Sequence, residues 1–339
     1  MEIAIPRQTK YGLLLDHQFP RTDDLSKHID EMIKITELAR DLGFQGIFGI
    51  HHFLANMQTP QPFQLLARLI PHSGDMDLGT CVYISTLTHP VQIAEELATL
   101  DQLSKGRVIF GAGIGYRNEE FDSFGITRSS RAPRFIEALE IIRGLWSDEL
   151  FTYSGEHYKL RQQRSSVQPY KSHHIPYWIG ANTPETIIRA AKIGDAWIAS
   201  PNVKAKWAIG NLASFCQERD SSSQPKTDQY DRPICREMFI ADSDEEARAI
   251  VAPYLDAEYR EYSKYDLDYF KSMYDDMFEK SFLVGSPKTV AQRINNLIDG
   301  GFNYFLFRTF WSGMPYPLAA NTLRRFQSEV IPMIYENRE

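Results

Sequence analysis

Short apolar runs alternate along the chain with longer segments of helical period. Residues 11–15 (YGLLL) predict a strand, and 25–42, with Ile29, Met32, Ile33, Ile35 and Leu38 among its apolar positions, predict a helix. The rhythm repeats through a strand at 46–50, a helix at 62–70, a strand at 78–84, a helix at 91–103, a strand at 108–111 and a helix at 135–146. A hairpin is expected in LFTYSGEHYKL. Alternation then resumes with PYWIG, a helix at 184–193, AWIAS, a helix at 207–215, REMFIA, a long helical region after Ser243, a helix at 287–297 and YFLF.

Eight strands separated by helices imply parallel pairing with crossover helices, and eight such units can close a sheet so that no edge remains. The expected fold is therefore α/β, a (β/α)8 TIM barrel with loop insertions, with an open doubly wound sheet as the alternative. All 339 residues are read as one domain. Residues 165–176 and 220–233, rich in Ser, Gln, Pro and charge, read as surface loops. A helical insertion is expected around 252–283, where Tyr254, Tyr259, Tyr262, Tyr265, Tyr269 and Tyr274 recur at mostly helical spacing. It either packs as an amphipathic pair on the barrel or covers the mouth.

Charge narrows the partners. A formal net charge of -7 with scattered Lys and Arg offers no field for a phosphate backbone, so no nucleic acid is expected. The three cysteines Cys81, Cys216 and Cys235 stand far apart without CxxC spacing, which argues against a disulfide scaffold or a zinc site and fits a reducing compartment. No window approaches the apolar length of a membrane span, so a soluble cytoplasmic protein is expected.

Barrel chemistry gathers on the loops after each strand's C-terminal end. Those loops carry HHF (51–53), STLTHP (85–90), GAGIGYRNEEF (from Gly111) and GANTPET (180–186). Thr183-Pro184 predicts a helix start with free N–H groups, and Asn182, Thr183 and Thr186 could bind a phosphate there without a lysine, or Thr183 could simply cap its own helix. The glycines at 111, 113 and 115 form a weak nucleotide-loop signal; they read either as room for a flat ring or as a strand end narrowed for neighbouring side chains. His51 and His52 would point to opposite faces of a continuing strand with no carboxylate near them in sequence, so no metal site is expected.

Several stretches in order, YGLLLDHQFP, LGFQGIFGIHHF, THPVQIAEELATLDQLSKGRVIFGAGIGYRNEEFDSFG, FIEALEIIRGLWSDELFTYSGEHYKL, PYWIGANTPETIIRAAKIGDAW and VGSPKTVAQRINNLIDGGF, resemble the bacterial luciferase-like superfamily of flavin-dependent monooxygenases. The region 207–282 carries little of the resemblance. The resemblance implies a catalytic histidine at His51, and a cofactor site comprising Cys81, Val82, Gly113, Tyr116, Arg117, Gly180, Ala181, Asn182, Thr183 and Thr186. It also implies a non-prolyl cis peptide at about Cys81–Val82. The luciferase cysteine at the end of strand four is Gly113 here and its neighbouring phosphate arginine is Ile114, so neither role transfers; Arg117 is the remaining candidate for that charge.

The implied activity is insertion of one oxygen atom of O2 into a small organic substrate, using reduced FMN delivered by a separate flavin reductase. The same superfamily leaves two alternatives, hydride transfer with a deazaflavin coenzyme and a non-catalytic flavin-binding protein. A homodimer, or a heterodimer with a related subunit, is implied as well.

Overall fold

A computed structural model of the protein describes residues 9–15, 18–171, 174–221, 230–263 and 267–336. Eight parallel strands form its centre: β1 (Lys10–Leu15), β2 (Gly46–Gly49), β3 (Asp77–Thr80), β4 (Val108–Gly113), β5 (Tyr177–Gly180), β6 (Ala196–Ile198), β7 (Pro233–Ile240) and β8 (Tyr304–Arg308). Neighbours in sequence are neighbours in the sheet from β1 to β6 and from β7 to β8, and β8 pairs back onto β1. The ring closes between β6 and β7 through a parallel bridge at Ala199 and Ile234, where Cys235 N–H donates to the Ala199 carbonyl at 2.9 Å. The barrel expectation holds, and the open sheet is excluded by this last contact.

Strand period decides what fills the lumen. Leu14, Phe48, Ile109, Trp178, Ile198, Cys235, Tyr304 and Leu306 project inward and pack together with Cys81 and Val82. Phe48 stacks on Trp178 with ring centroids 5.2 Å apart. The opposite faces of the strands meet the helices in a larger cluster that includes Leu97, Ile142, Ile187 and Leu323. Burying each such side chain contributes about 1.5–3 kcal/mol, so both faces of every strand stabilise the ring.

Four features differ from the sequence reading. The predicted strand at 78–84 is broken: β3 ends at Thr80, the Cys81–Val82 peptide is cis as expected, and a two-residue strand Tyr83–Ile84 pairs with the end of β4. A three-residue strand, Leu283–Gly285, extends the end of β7 and has too short an apolar run to be seen in sequence. The short helix Asn118–Ser123 and the C-terminal helix Tyr316–Arg325 were likewise not anticipated. The hairpin is present as Phe151–Ser154 paired antiparallel with Lys159–Gln163.

The insertion consists of helices Asp244–Ser263 and Leu267–Lys280, with a cluster of Val251, Leu255, Tyr259, Phe278 and Phe282 against Phe239 at the end of β7. Tyr265 and part of the loop at 220–233 lie outside the described residues, as do the side chains of Tyr262 and Tyr269. No described helix is long and apolar enough to cross a membrane.

Candidate active site

The strand β2 ends at Gly49, so its period no longer governs the histidines beyond it. His51 is buried, and its Nδ1 accepts the backbone N–H of Ile84 at 3.0 Å. Only an unprotonated ring nitrogen can accept, so the proton resides on Nε2, which donates to Gln61 Oε1 at 2.9 Å. The ring lies flat on Tyr83, centroids 4.0 Å apart, and meets Phe53 edge-on at 4.5 Å. Burial pushes the Tyr83 phenol up to about 12, so it stays neutral. Gln61, at the start of helix Pro62–Leu69, also donates to the His52 carbonyl at 3.1 Å and ties the two histidines together.

His52 was expected to face away from the site. Its Nδ1 instead lies 3.0 Å from Glu120 Oε1, and its ring meets Tyr116 edge-on at 5.7 Å, so it joins the loop after β4. Glu120 is fully buried; its Oε1 also accepts the Phe53 N–H at 2.9 Å, while Oε2 has no hydrogen-bond partner among the described residues. A carboxylate at Nδ1 accepts that nitrogen's proton and orients the ring. Arg117 Nη1 stands 3.9 Å from the same carboxylate. No carboxylate stands near the histidines in sequence; 68 residues separate His52 from Glu120, and the barrel brings them together. Among the described residues no group of three or more His, Cys, Asp or Glu could hold a metal ion.

Glycines after β3 and β4 make room for protein atoms. A Cβ at Gly111 would overlap the Thr80 carbonyl, and one at Gly113 would come 2.6 Å from Val82 Cγ2. Gly180 faces the other branch of Val82, with 3.2 Å to Cγ1. These contacts fit the narrowed-strand reading, and Val82 stands between the ends of β4 and β5.

After β5, Thr183 caps helix Pro184–Ile193 in a reciprocal box: Thr183 N–H donates to Thr186 Oγ1 at 3.1 Å and Thr186 N–H to Thr183 Oγ1 at 3.4 Å. Glu185 occupies the first turn, and its own backbone N–H and the Thr183 side chain hold its carboxyl below the usual range. Asn182 Oδ1 accepts from the Ser200 hydroxyl at 2.7 Å, and Trp197 Nε1 donates to the Ala181 carbonyl at 2.9 Å.

Two buried arginines on β7 and β8 escaped the sequence reading. Arg236 donates through Nη1 to the carbonyls of Ser200 and Cys235, both at 3.0 Å; its Nε and Nη2 have no hydrogen-bond partner among the described residues. Burial lowers it to about 10, so it remains charged at neutral pH. Arg308, two residues beyond lumenal Leu306, is the cross-strand partner of Glu237 and forms a two-pronged ion pair with it. Trp311 Nε1 and the Tyr259 hydroxyl donate to the same carboxylate, each at 2.9 Å, and Glu258 accepts from Arg308 at 3.1 Å. Glu258 and Tyr259 belong to helix Asp244–Ser263, so the insertion is anchored to the C-terminal rim of the barrel.

A family model described as luciferase-like monooxygenase matches residues 9–304. The chain belongs to this family. It is 23% identical over 343 residues to the oxygenase component of the flavin-dependent trigonelline monooxygenase of Acinetobacter baylyi, with 91% of each chain covered. It is 26% identical over 314 residues to the F420-dependent glucose-6-phosphate dehydrogenase of Kineococcus radiotolerans, covering 87% of this chain and 90% of that one. The crystal structure of monooxygenase RslO1 from Streptomyces bottropensis shares its fold, with a TM-score of 0.86 at 23% identity over 95% of this chain and 99% of that one. This luciferase-like chain is an enzyme of an oxidoreductase family that includes both flavin-dependent oxygenases and F420-dependent dehydrogenases.

Proposed function

We propose that the protein is the oxygenase component of a two-component monooxygenase, which takes reduced FMN from a separate reductase and inserts one oxygen atom of O2 into a small organic substrate. When bound, reduced FMN supplies the electrons and activates the oxygen. The chain's residues bind, orient, exclude water and handle protons. The observation that carries FMN over a deazaflavin coenzyme is the loop after β5. It offers neutral donors at one helix start with an acidic Glu185 in the first turn, which suits a single phosphate and opposes a longer polyanionic tail.

The donors present fit the cofactor: Arg236 brings two unpaired nitrogens beside Ser200, which in turn holds Asn182. Asn182, Thr183 and Thr186 would hold the phosphate, with Gly180 and Ala181 leading into that loop. Cys81, Val82 and Gly113 would back the ring, and Tyr116 and Arg117 would form its rim. His51, its Nε2 proton held on Gln61, would form the wall of the site against Tyr83, and His52, backed by Glu120, would accept a proton. The His52–Glu120 pair also favours a second reading, because a carboxylate-backed imidazole suits removal of a proton from an alcohol during hydride transfer to a deazaflavin.

A homodimer is part of the proposal. Leu54 and Phe124 are exposed apolar side chains that a second copy would cover, and Phe124 also lines a surface cavity of about 330 Å³ of mixed character, where Phe53, Phe63 and Leu87 stand with Gln61, His89 and Glu96.

Oxygen uptake with reduced FMN, measured across a substrate panel with product masses, tests the reading. Substrate-dependent gain of one oxygen atom in the product is expected. Substrate oxidation without oxygen gain, coupled to loss of deazaflavin absorbance, would replace it with the second reading.

A further inference from the structure

Three hydrogen bonds run in one direction through the histidines after β2. The Ile84 N–H donates to His51 Nδ1 at 3.0 Å, His51 Nε2–H donates to Gln61 Oε1 at 2.9 Å, and Gln61 Nε2 donates to the His52 carbonyl at 3.1 Å. Both ends fix the direction, because a backbone N–H can only donate and a backbone carbonyl can only accept. The Gln61 carboxamide therefore turns its NH2 group toward His52 and its oxygen toward His51. Stacking does not supply this information. The His51 ring lies flat on Tyr83, which holds its plane, yet a half-turn of the ring would leave that plane unchanged; the hydrogen bonds tell the two flips apart.

Gln61 occupies the N-cap position of helix Pro62–Leu69, and its side chain makes no capping bond to that helix. N-cap residues ordinarily turn a short polar side chain back onto their own first turn; here the side chain leaves the helix and reaches the histidines. Gln61 also lines the surface cavity with Phe53 and Tyr83, whereas neither histidine does. On the other side of His52, its Nδ1 lies 3.0 Å from Glu120 Oε1, and the Phe53 N–H donates to the same oxygen at 2.9 Å. The ring of His52 is thus held through Glu120 and its backbone through Gln61.

We propose that Gln61 is a positioning residue for His52: by holding the His52 carbonyl, it sets where the imidazole backed by Glu120 meets the substrate. This rests on the proton-accepting role given to His52 above, which is the same in oxygenation and in hydride transfer. Gln61 itself touches no reacting atom. A displacement of about 1 Å at a reacting group can cost about 10²-fold in rate, so loss of the Gln61 bond should appear in turnover and leave binding in place.

Two substitutions separate the two ends of the amide. Gln61→Met keeps the length of the side chain and removes both bonds; Gln61→Glu keeps an acceptor for His51 and removes the donor to His52. Turnover is measured in whichever of the two reactions the wild type performs, and nitrogen NMR spectra of the histidines are recorded on the cofactor-free protein. We expect kcat to fall about 10²-fold in both variants, with KM, cofactor affinity and the folded fraction at the assay temperature close to wild type, and the His52 ring signals to shift in both. His51 should be the Nε2–H tautomer in the wild type. Its Nε2 proton should exchange faster with water in Gln61→Met, beside the cavity, and stay protected in Gln61→Glu. Unchanged kcat in either variant, a kcat loss no larger than the loss of folded protein, unmoved His52 signals, or a His51 proton on Nδ1 in the wild type would each overturn the proposal. Should the wild type perform neither reaction, the functional reading fails while the spectra still decide the role of Gln61.

Discussion

At the scale of single residues, the two histidines have become chemically unlike. His51 holds one proton on Nε2 between fixed partners, so a second proton on Nδ1 would cost its bond from the Ile84 N–H. His52 is backed by Glu120 at Nδ1. Steady-state kinetics of His51→Ala, His52→Ala and Glu120→Gln should therefore separate: His52→Ala is expected to lose on the order of 10²–10⁴ in kcat. Glu120→Gln should lose part of that and shift the pH profile, and His51→Ala should fall mainly through lost packing and a lower thermal midpoint. A His51→Ala variant that folds normally and yet loses turnover would return proton transfer to His51. The phosphate site gives a second residue-scale prediction. If the flavin phosphate docks at the helix start after β5, Glu185→Gln should bind FMN several-fold more tightly and leave riboflavin unchanged, because it removes a competing anion from the positive helix end. Equal changes for both ligands in parallel titrations would move the phosphate elsewhere.

At the scale of elements, two charged clusters fasten the pieces that carry the site. Asp195, between helix Pro184–Ile193 and β6, accepts the Tyr177 N–H at 2.7 Å and pairs with Arg143 at 3.3 Å. Burial pushes its pKa up, but the bonds from His174 and the Tyr177 N–H and the charge of Arg143 outweigh it, so the folded value lies below the usual range. A depressed carboxyl stabilises fully above its unfolded value of about 3.9 and loses that contribution as pH falls through the folded value. Asp195→Asn should thus cost roughly 1.5–3 kcal/mol near neutrality, with the gap to wild type narrowing below about pH 4 in denaturant melts. The second fastening is the Arg308 cluster at the rim. Replacing Arg308 with Met leaves Glu237 and Glu258 buried without their cation, and should cost about 3–5 kcal/mol of stability. Amide exchange in Asp244–Ser263 should accelerate in the same variant, as expected of a helix fastened to the barrel rim; unchanged exchange would show that the insertion is held by its apolar cluster alone.

At the scale of the whole molecule, the barrel leaves apolar surface outside its own core. Light scattering should give twice the mass of one chain, and Leu54→Asp with Phe124→Asp should return it to one while preserving the far-ultraviolet spectrum. A wild-type monomer, or an unaffected dimer in the double variant, would remove that face from the assembly. Eight strands, their crossover helices, the hairpin and the cis Cys81–Val82 peptide were legible in sequence, the first three because period-two and helical apolar spacing are local properties and the last through family resemblance. Thr183 and Pro184 announced their helix start for the same local reason. The partners were not legible. Glu120 meets His52 across 68 positions, and Arg308 meets Glu237 across 71. Such pairings depend on strand order, on where β2 and β3 stop, and on the closing bridge between β6 and β7. Local spacing determined which elements form; closure of the ring decided which side chains meet, because contacts between distant residues follow from packing that no local pattern encodes.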